Sequence, residues 1–262
     1  FGWGYNYYGT IGDNTTIAKS SPVQIGTESW TAVSGNGGIT VHAIHKNGTI
    51  WGWGYNFYGG VGNGTTTSVS SPVAILVTRP NLASDSWSIV GGTFVKDGSD
   101  RLWAWGLNST GQLGDGTTIN RSAAVAVMSD KPFTTMDSSS HAVAINTNGT
   151  LWAWGLNSSG QLGDGTAINK SSPVQIGTSS WTVVSVSQGG TTAIRVDGTL
   201  WAWGSNTIND LSDGTTVNRS SPVQVLVASS WSVISLSNYI GAGVRSDGTL
   251  WTWGTNTNGM LG

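Results

Sequence analysis

The chain has 262 residues, of which 9% are charged, with 11 Lys and Arg against 13 Asp and Glu and a formal net charge of -2. That balance excludes long-range attraction to nucleic acid or to an anionic membrane surface, so solubility must rest on Ser, Thr, Asn and Gly. The absence of Cys excludes disulfides, thiolate metal sites and thiol nucleophiles and leaves the compartment open, and no apolar run is long enough to cross a bilayer as a helix.

From its first residues the chain repeats itself. The opening FGWGYN at Phe1 returns as WGWGYN at Trp51, WAWGLN at Trp103 and Trp152, WAWGSN at Trp201 and WTWGTN at Trp251. A period of roughly 50 residues counts units of one architecture, so residues 1–262 read as one domain. Its repeats are 1–50, 51–102, 103–151, 152–200, 201–250 and a partial 251–262. Because the chain starts and stops within the same motif and lacks an initiator Met, it reads as an excerpt or a processed product.

The fourth repeat shows the elements of one unit in order. Leu151-Trp152-Ala153-Trp154 alternates and is aromatic, as a strand does, and Gly155 ends it. A polar loop from Leu156 to Lys170 carries Gly160, Gly163 and Gly165, suited to positive φ or to close backbone approach. Ser171 to Ile176 is a second strand with Pro173 near its entry, which places it on an edge, where a missing amide donor is tolerated. Trp181 to Ser187 and Thr192 to Val196 are two more strands. Asp197-Gly198 then predicts a type I′ hairpin into the next Leu-Trp-Ala-Trp. Asn47-Gly48, Asp97-Gly98, Asn148-Gly149 and Asp247-Gly248 repeat that signal. Four short antiparallel strands per unit, with a Gly and aromatic motif in each, predict an all-β fold, a β-propeller. The two Trp of each WxWG, joined by Trp30, Trp87, Phe133, Trp181 and Trp231, are expected to pack the core.

At WAWGLNSSGQLGDGT, with SSPVQI after it and HAVAINTNGTLWAWG before it, the chain resembles the RCC1-type repeat family, named for a regulator of chromosome condensation. The resemblance implies a propeller, commonly seven-bladed, whose blades are offset from the sequence repeat. Blades then run from Trp30 to Ile75, Trp87 to Val127, Phe133 to Ile176 and Trp181 to Val225, with partial ones at residues 1–25 and 231–262. On this reading four complete blades and two partial ones belong to a seven-bladed ring, about 90 residues of which lie outside the sequence. Departures fall at the link Leu76 to Ser86 with its short Gly91-Gly92 turn, at Ser122 to Val125 in place of SSPV, and at Asn209 to Asp213 in place of GQLGD.

Chemistry is sparse. His42 and His45, three apart on a strand, face opposite ways and cannot chelate one metal together, and His141 stands alone. Asp115, Asp164 and Asp213, with Asn63 and Asn14 nearby in phase, are expected to cap their own turns, because one carboxylate per unit is too few for calcium. The N-x-S/T triplets follow from an Asn-, Ser- and Thr-rich composition. No catalytic residue, metal or cofactor is assigned. The expected function is non-catalytic binding, as an adhesion or host-attachment component of a virus or phage particle or of a secreted bacterial surface protein. That reading gives an extracellular or virion location, a protein or glycan partner on another surface within a larger assembly, and no nucleic acid or membrane insertion. Arg79, Asn81 and Asp85 in the variable link are the candidate contact residues. The alternative implied by the resemblance is guanine-nucleotide exchange on a small GTPase, although no exchange residue maps onto this chain by motif.

Overall fold

The computed structural model describes residues 1–36, 39–77, 87–128, 132–207, 210–226, 230–237, 240–256, 259 and 261–262. The described residues form strands and turns and no helix. The chain divides into two compact units, Phe1–Ser109 with Ile119–Lys131, and Thr110–Thr118 with Pro132–Gly262.

In the first unit, β1 (Gly2–Gly4) pairs with β2 (Lys19–Val23) as a two-stranded sheet. A full blade follows, with β3 (Trp30–Asn36), β4 (Thr40–His45), β5 (Ile50–Gly54) and β6 (Val69–Ala74) in sequential antiparallel order. The next is built from β7 (Ser88–Gly91), β8 (Phe94–Lys96), β9 (Leu102–Gly106) and β10 (Arg121–Val127).

In the second unit, β11 (Phe133–Ser138), β12 (His141–Asn146), β13 (Thr150–Gly155) and the first part of β14 (Lys170–Val186) form one blade. The second part of β14 pairs with β15 (Gly190–Arg195), which continues through β16 (Leu200–Gly204) to β17 (Arg219–Val225). One 17-residue strand therefore serves as the outer strand of one blade and the inner strand of the next. The last sheet has three strands, β18 (Trp231–Leu236), β19 (Ile240–Arg245) and β20 (Leu250–Gly254). These are the blades expected from the sequence, four complete and two partial.

The strand after each Gly-rich loop stands outermost in its blade, and in β6 and β17 it carries its Pro at that edge. The second Trp of each WxWG is buried at Trp53, Trp105, Trp154, Trp203 and Trp253, whereas Trp3 is exposed. The inner-strand Trp completes the stack, with Trp181 edge-on to both Trp201 and Trp203, and the Arg195 guanidinium lies 3.5 Å from the centroid of the Trp201 ring. His45 takes the Arg195 position in the first full blade, between Trp30 and Trp51.

The hairpin turns differ from expectation. Gly48, Gly149, Gly198 and Gly248 have positive φ, but Asn47, Asn148, Asp197 and Asp247 do not, so the turns are not type I′. His45 N–H bonds to Thr49 O and Gly48 N–H to His45 O, which is a three-residue loop with its Gly in the left-handed position. The Asn47 side chain then accepts from the N–H and hydroxyl of Thr49, whose oxygen accepts the Trp51 indole N–H at 2.8 Å. Asp97-Gly98 is displaced further. Asp97 occupies the His45 position, buried and accepting from Trp103 Nε1, and Asp100 takes the left-handed place.

Candidate functional site

Each of the first five of these loops is built on a fully buried Asn, at positions 6, 56, 108, 157 and 206, whereas Asn256 after the last WxWG is exposed. Asn157 Nδ2 donates to Thr166 O and Ile168 O, and its Oδ1 accepts from Leu162 N–H at 2.9 Å. Asn6 and Asn56 make the equivalent bonds, and Asn206 keeps those to Thr215 O and from Leu211 N–H. The Asp a few residues on caps its turn as expected. Asp164 Oδ1 accepts from the N–H and hydroxyl of Thr166, and its other oxygen lies 3.3 Å from Lys170. Lys19 and Arg219 pair with Asp13 and Asp213 in the same way. Burial alone would raise the Asp213 pKa, but hydrogen bonds from Thr215, Arg219 and Asn206 outweigh it and bring it down to about 2. These carboxylates have their partners within the loop, and no group of three or more His, Cys, Asp or Glu among the described residues is placed to hold a metal.

The same loop closes over the next repeat. Trp203 Nε1 donates to Gln161 O at 3.0 Å, as Trp53 does to Thr10 O, Trp105 to Gly60 O and Trp154 to Gln112 O. Gly163 must be Gly twice over. Its φ is +79°, and a Cβ there would stand 2.7 Å from Trp203 Nε1. Gly165 N–H donates to Ser220 O on the outer strand of the following blade, and Gly116 and Gly64 repeat that bond to Ser171 and Ser122.

The three His lie inside this framework. His141 is fully buried, and burial depresses its pKa to about 3. Thr191 gives its hydroxyl proton to Gln161 O, so at 2.8 Å its oxygen accepts from His141 Nε2, which fixes the neutral Nε2–H form. His42 is depressed to about 4 by burial, against the opposing effect of the Gly60 and Gly92 backbone bonds, and packs edge-on to Trp105. His45 meets Glu28 at 2.9 Å on the other side of its strand. His42 and His141 are cut off from solvent, so neither reaches a substrate. A cavity of about 360 Å³ is lined by Gly163, Asp164, Gln175, Trp181 and Arg195, with the Asp164 carboxylate already bound to Lys170 and Thr166.

Arg79, Asn81 and Asp85, the expected contact residues, lie outside the described residues. A different surface stands out. Tyr5, Tyr7, Phe57 and Tyr58 are exposed, flanking the buried Asn6 and Asn56, where the next two repeats carry Leu107, Ser109 and Thr110, and Leu156, Ser158 and Ser159. Together with Tyr8 and Tyr55 they form one connected set of rings in the first unit. Sequence reasoning missed it because it weighed only the Trp residues and Phe133 and passed over these Tyr and Phe side chains. Polar residues at the matching positions of later repeats were the available sign.

The regulator of chromosome condensation (RCC1) repeat model matches residues 47–89, 99–145 and 148–194, more than half of the chain. The chain belongs to the RCC1 repeat family. Human WBSCR16 superposes with a TM-score of 0.80 at 17% identity over 96% of this chain and 72% of that one. Yeast RCC1 (Prp20) bound to Kap60 gives 0.75 at 16% identity over 97% of this chain. Prp20p from Saccharomyces cerevisiae, described with its binding to Gsp1p and histones, gives 0.70 at 17% identity over 96%. This RCC1-repeat chain spans 65% of the length of both Prp20 structures. At these identities the likeness is one of fold. No curated protein sequence matches the chain. The expected extracellular or virion location is overturned, since these neighbours are RCC1 and an RCC1-like protein.

Proposed function

We propose that this chain is a non-catalytic protein-binding module of the RCC1 type. The observation that carries the reading is the exposed aromatic surface on the first two loops, because a connected set of exposed rings on an otherwise polar chain marks an interaction site. The buried Asn anchors support it. They hold the loops in one shape before any partner arrives, which lowers the entropic cost of binding. Protein partners of the family fold support it as well, since yeast Prp20 is seen with Kap60 and described with Gsp1p and histones. The adhesion reading has no such support.

The test replaces Tyr7 and Phe57 by Ser, the residue at the matching positions 109 and 158. Proteins recovered with the wild-type chain and lost with a Y7S/F57S variant of unchanged melting temperature would support the reading. Identical partner sets would count against it.

A second reading, guanine-nucleotide exchange on a small GTPase, is favoured by the description of Prp20 with Gsp1p. Release of a fluorescent GDP from a purified small GTPase measures it directly. A rate unchanged by stoichiometric amounts of this chain would end it for that GTPase.

A further inference from the structure

The aromatic surface has a geometry that selects among partners. Tyr5 and Tyr7 stack at 6.4 Å with 23° between their planes, and Tyr55 and Phe57 repeat this at 6.4 Å and 22°. Tyr7 meets Tyr8 edge-on at 5.0 Å and 88°, and Phe57 meets Tyr58 at the same distance and angle. Tyr8 and Tyr55 join the two sets at 4.7 Å. The surface is therefore two copies of one right-angled aromatic corner, joined by a bridging pair of rings.

Two further features narrow the ligand. No charged residue occurs in residues 5–12 or 55–62, so these loop segments offer no ionic anchor to a phosphate, a carboxylate or a basic peptide. The Tyr55 phenol is held above its ordinary pKa by desolvation and by the neighbouring phenols of Tyr58 and Tyr8, so its hydroxyl stays protonated and acts as a donor. A neutral ligand with compact apolar rings and unused carbonyl acceptors matches such a surface. A flat sugar face stacks best on coplanar rings, whereas rings at 88° make a notch.

We propose that the ladder from Tyr5 to Tyr58 docks a proline-rich segment of a partner protein in the polyproline II conformation. Resting on the protein-binding reading above, this names its partner class. Each notch takes a pyrrolidine ring. The extended backbone has no internal hydrogen bonds, and its carbonyls accept from the phenol hydroxyls. Little order is lost on either side, because the peptide is stiff and the loops are anchored.

Fluorescence anisotropy of a labelled oligoproline of ~10 residues, titrated with the full chain, tests the proposal. Saturable binding is expected, weakened at least tenfold in Y7S/F57S and severalfold in Y8F/Y55F, which keeps the rings and removes two hydroxyls. A Gly-Ser peptide of equal length should not bind. Equal affinity of the wild type and Y7S/F57S for oligoproline would overturn the proposal, as would no binding by either. So would binding of a neutral oligosaccharide, or self-association of the chain, that is lost in Y7S/F57S in place of oligoproline binding. If Y7S/F57S loses protein partners while oligoproline fails to bind, the protein-binding reading stands and the proline-rich ligand falls. If neither measurement responds to the substitutions, both fall.

Discussion

Replacing Gly163 by Ala should destabilise the second unit far more than the same change two residues on, at Gly165. The two glycines have nearly the same backbone, with φ of +79° and +82°, so an Ala at either bears the left-handed strain of about 1–2 kcal/mol. Their surroundings differ. A Cβ on Gly163 would lie 2.7 Å from Trp203 Nε1 and 3.0 Å from Cδ1, in a buried contact, whereas a Cβ on Gly165 meets nothing nearer than Ser221 Oγ at 3.8 Å. Forcing the indole aside adds an overpacking cost of about 1–3 kcal/mol. It also stretches the bond from Trp203 to Gln161 O. Gly163→Ala should thus lose about 2–5 kcal/mol and Gly165→Ala about 1–2. Urea unfolding followed by Trp fluorescence reads both, from midpoints at an unchanged slope. Equal losses would refute the claim that the loop is shaped to the next blade's Trp. Ser212 supports that claim, for it stands at the Gly163 position with a φ of 56°, and there the Trp253 ring lies over Gly241, filling the space a side chain would need.

Asn157→Ala should cost about 2–6 kcal/mol, since it strands the buried Leu162 N–H, worth about 1–3 kcal/mol when unsatisfied, and removes the part-buried bonds to the Thr166 and Ile168 carbonyls, worth about 0.5–1.5 kcal/mol each. Thermal melting checks it, and a loss below about 0.5 kcal/mol would show water replacing the amide. Because the folded pKa of Asp213 is depressed to about 2 from 3.8, its contribution is present above the unfolded value and is lost as pH falls toward 2. Asp213→Asn should flatten the melting curve in that window. His141 and His42 are bases depressed to about 3 and about 4 from 6.5, so the unfolded chain takes up protons first and stability falls as pH drops below about 6.5. His141→Asn should remove part of that slope, and an unchanged slope would count against a neutral buried His141.

The blade boundaries were legible because a Trp-rich strand, a Gly-punctuated loop and an edge strand bearing Pro recur at a fixed period, and each has its own physical reason. The second indole of each WxWG was rightly read as core at Trp53, Trp105, Trp154, Trp203 and Trp253, whereas the first is only half-buried at Trp51, Trp152 and Trp201 and exposed at Trp251. The turn at Asn47-Gly48 was legible as a turn but not as a type, since an Asn-Gly pair suits both a two-residue type I′ hairpin and a three-residue loop with its Gly in the left-handed position. Thr49 held the missing information: its N–H and hydroxyl both take the Asn47 side chain. Asp97 escaped because a buried acceptor for Trp103 Nε1 pulls it out of the turn and into the strand end. At the candidate site, Asn6 and Asn56 look like ordinary loop polar residues, and nothing local reveals that they are the buried ones. Once they are, the flanking Tyr and Phe have nowhere to go but outward.

Indole hydrogen exchange tests the interlocking of successive repeats most directly. The Nε1 protons of Trp53, Trp105, Trp154 and Trp203, each bonded to a carbonyl of the preceding loop, should exchange only through unfolding, and that of the exposed Trp3 at the rate of a free indole. Exchange of all five at the rate of Trp3 would contradict the account.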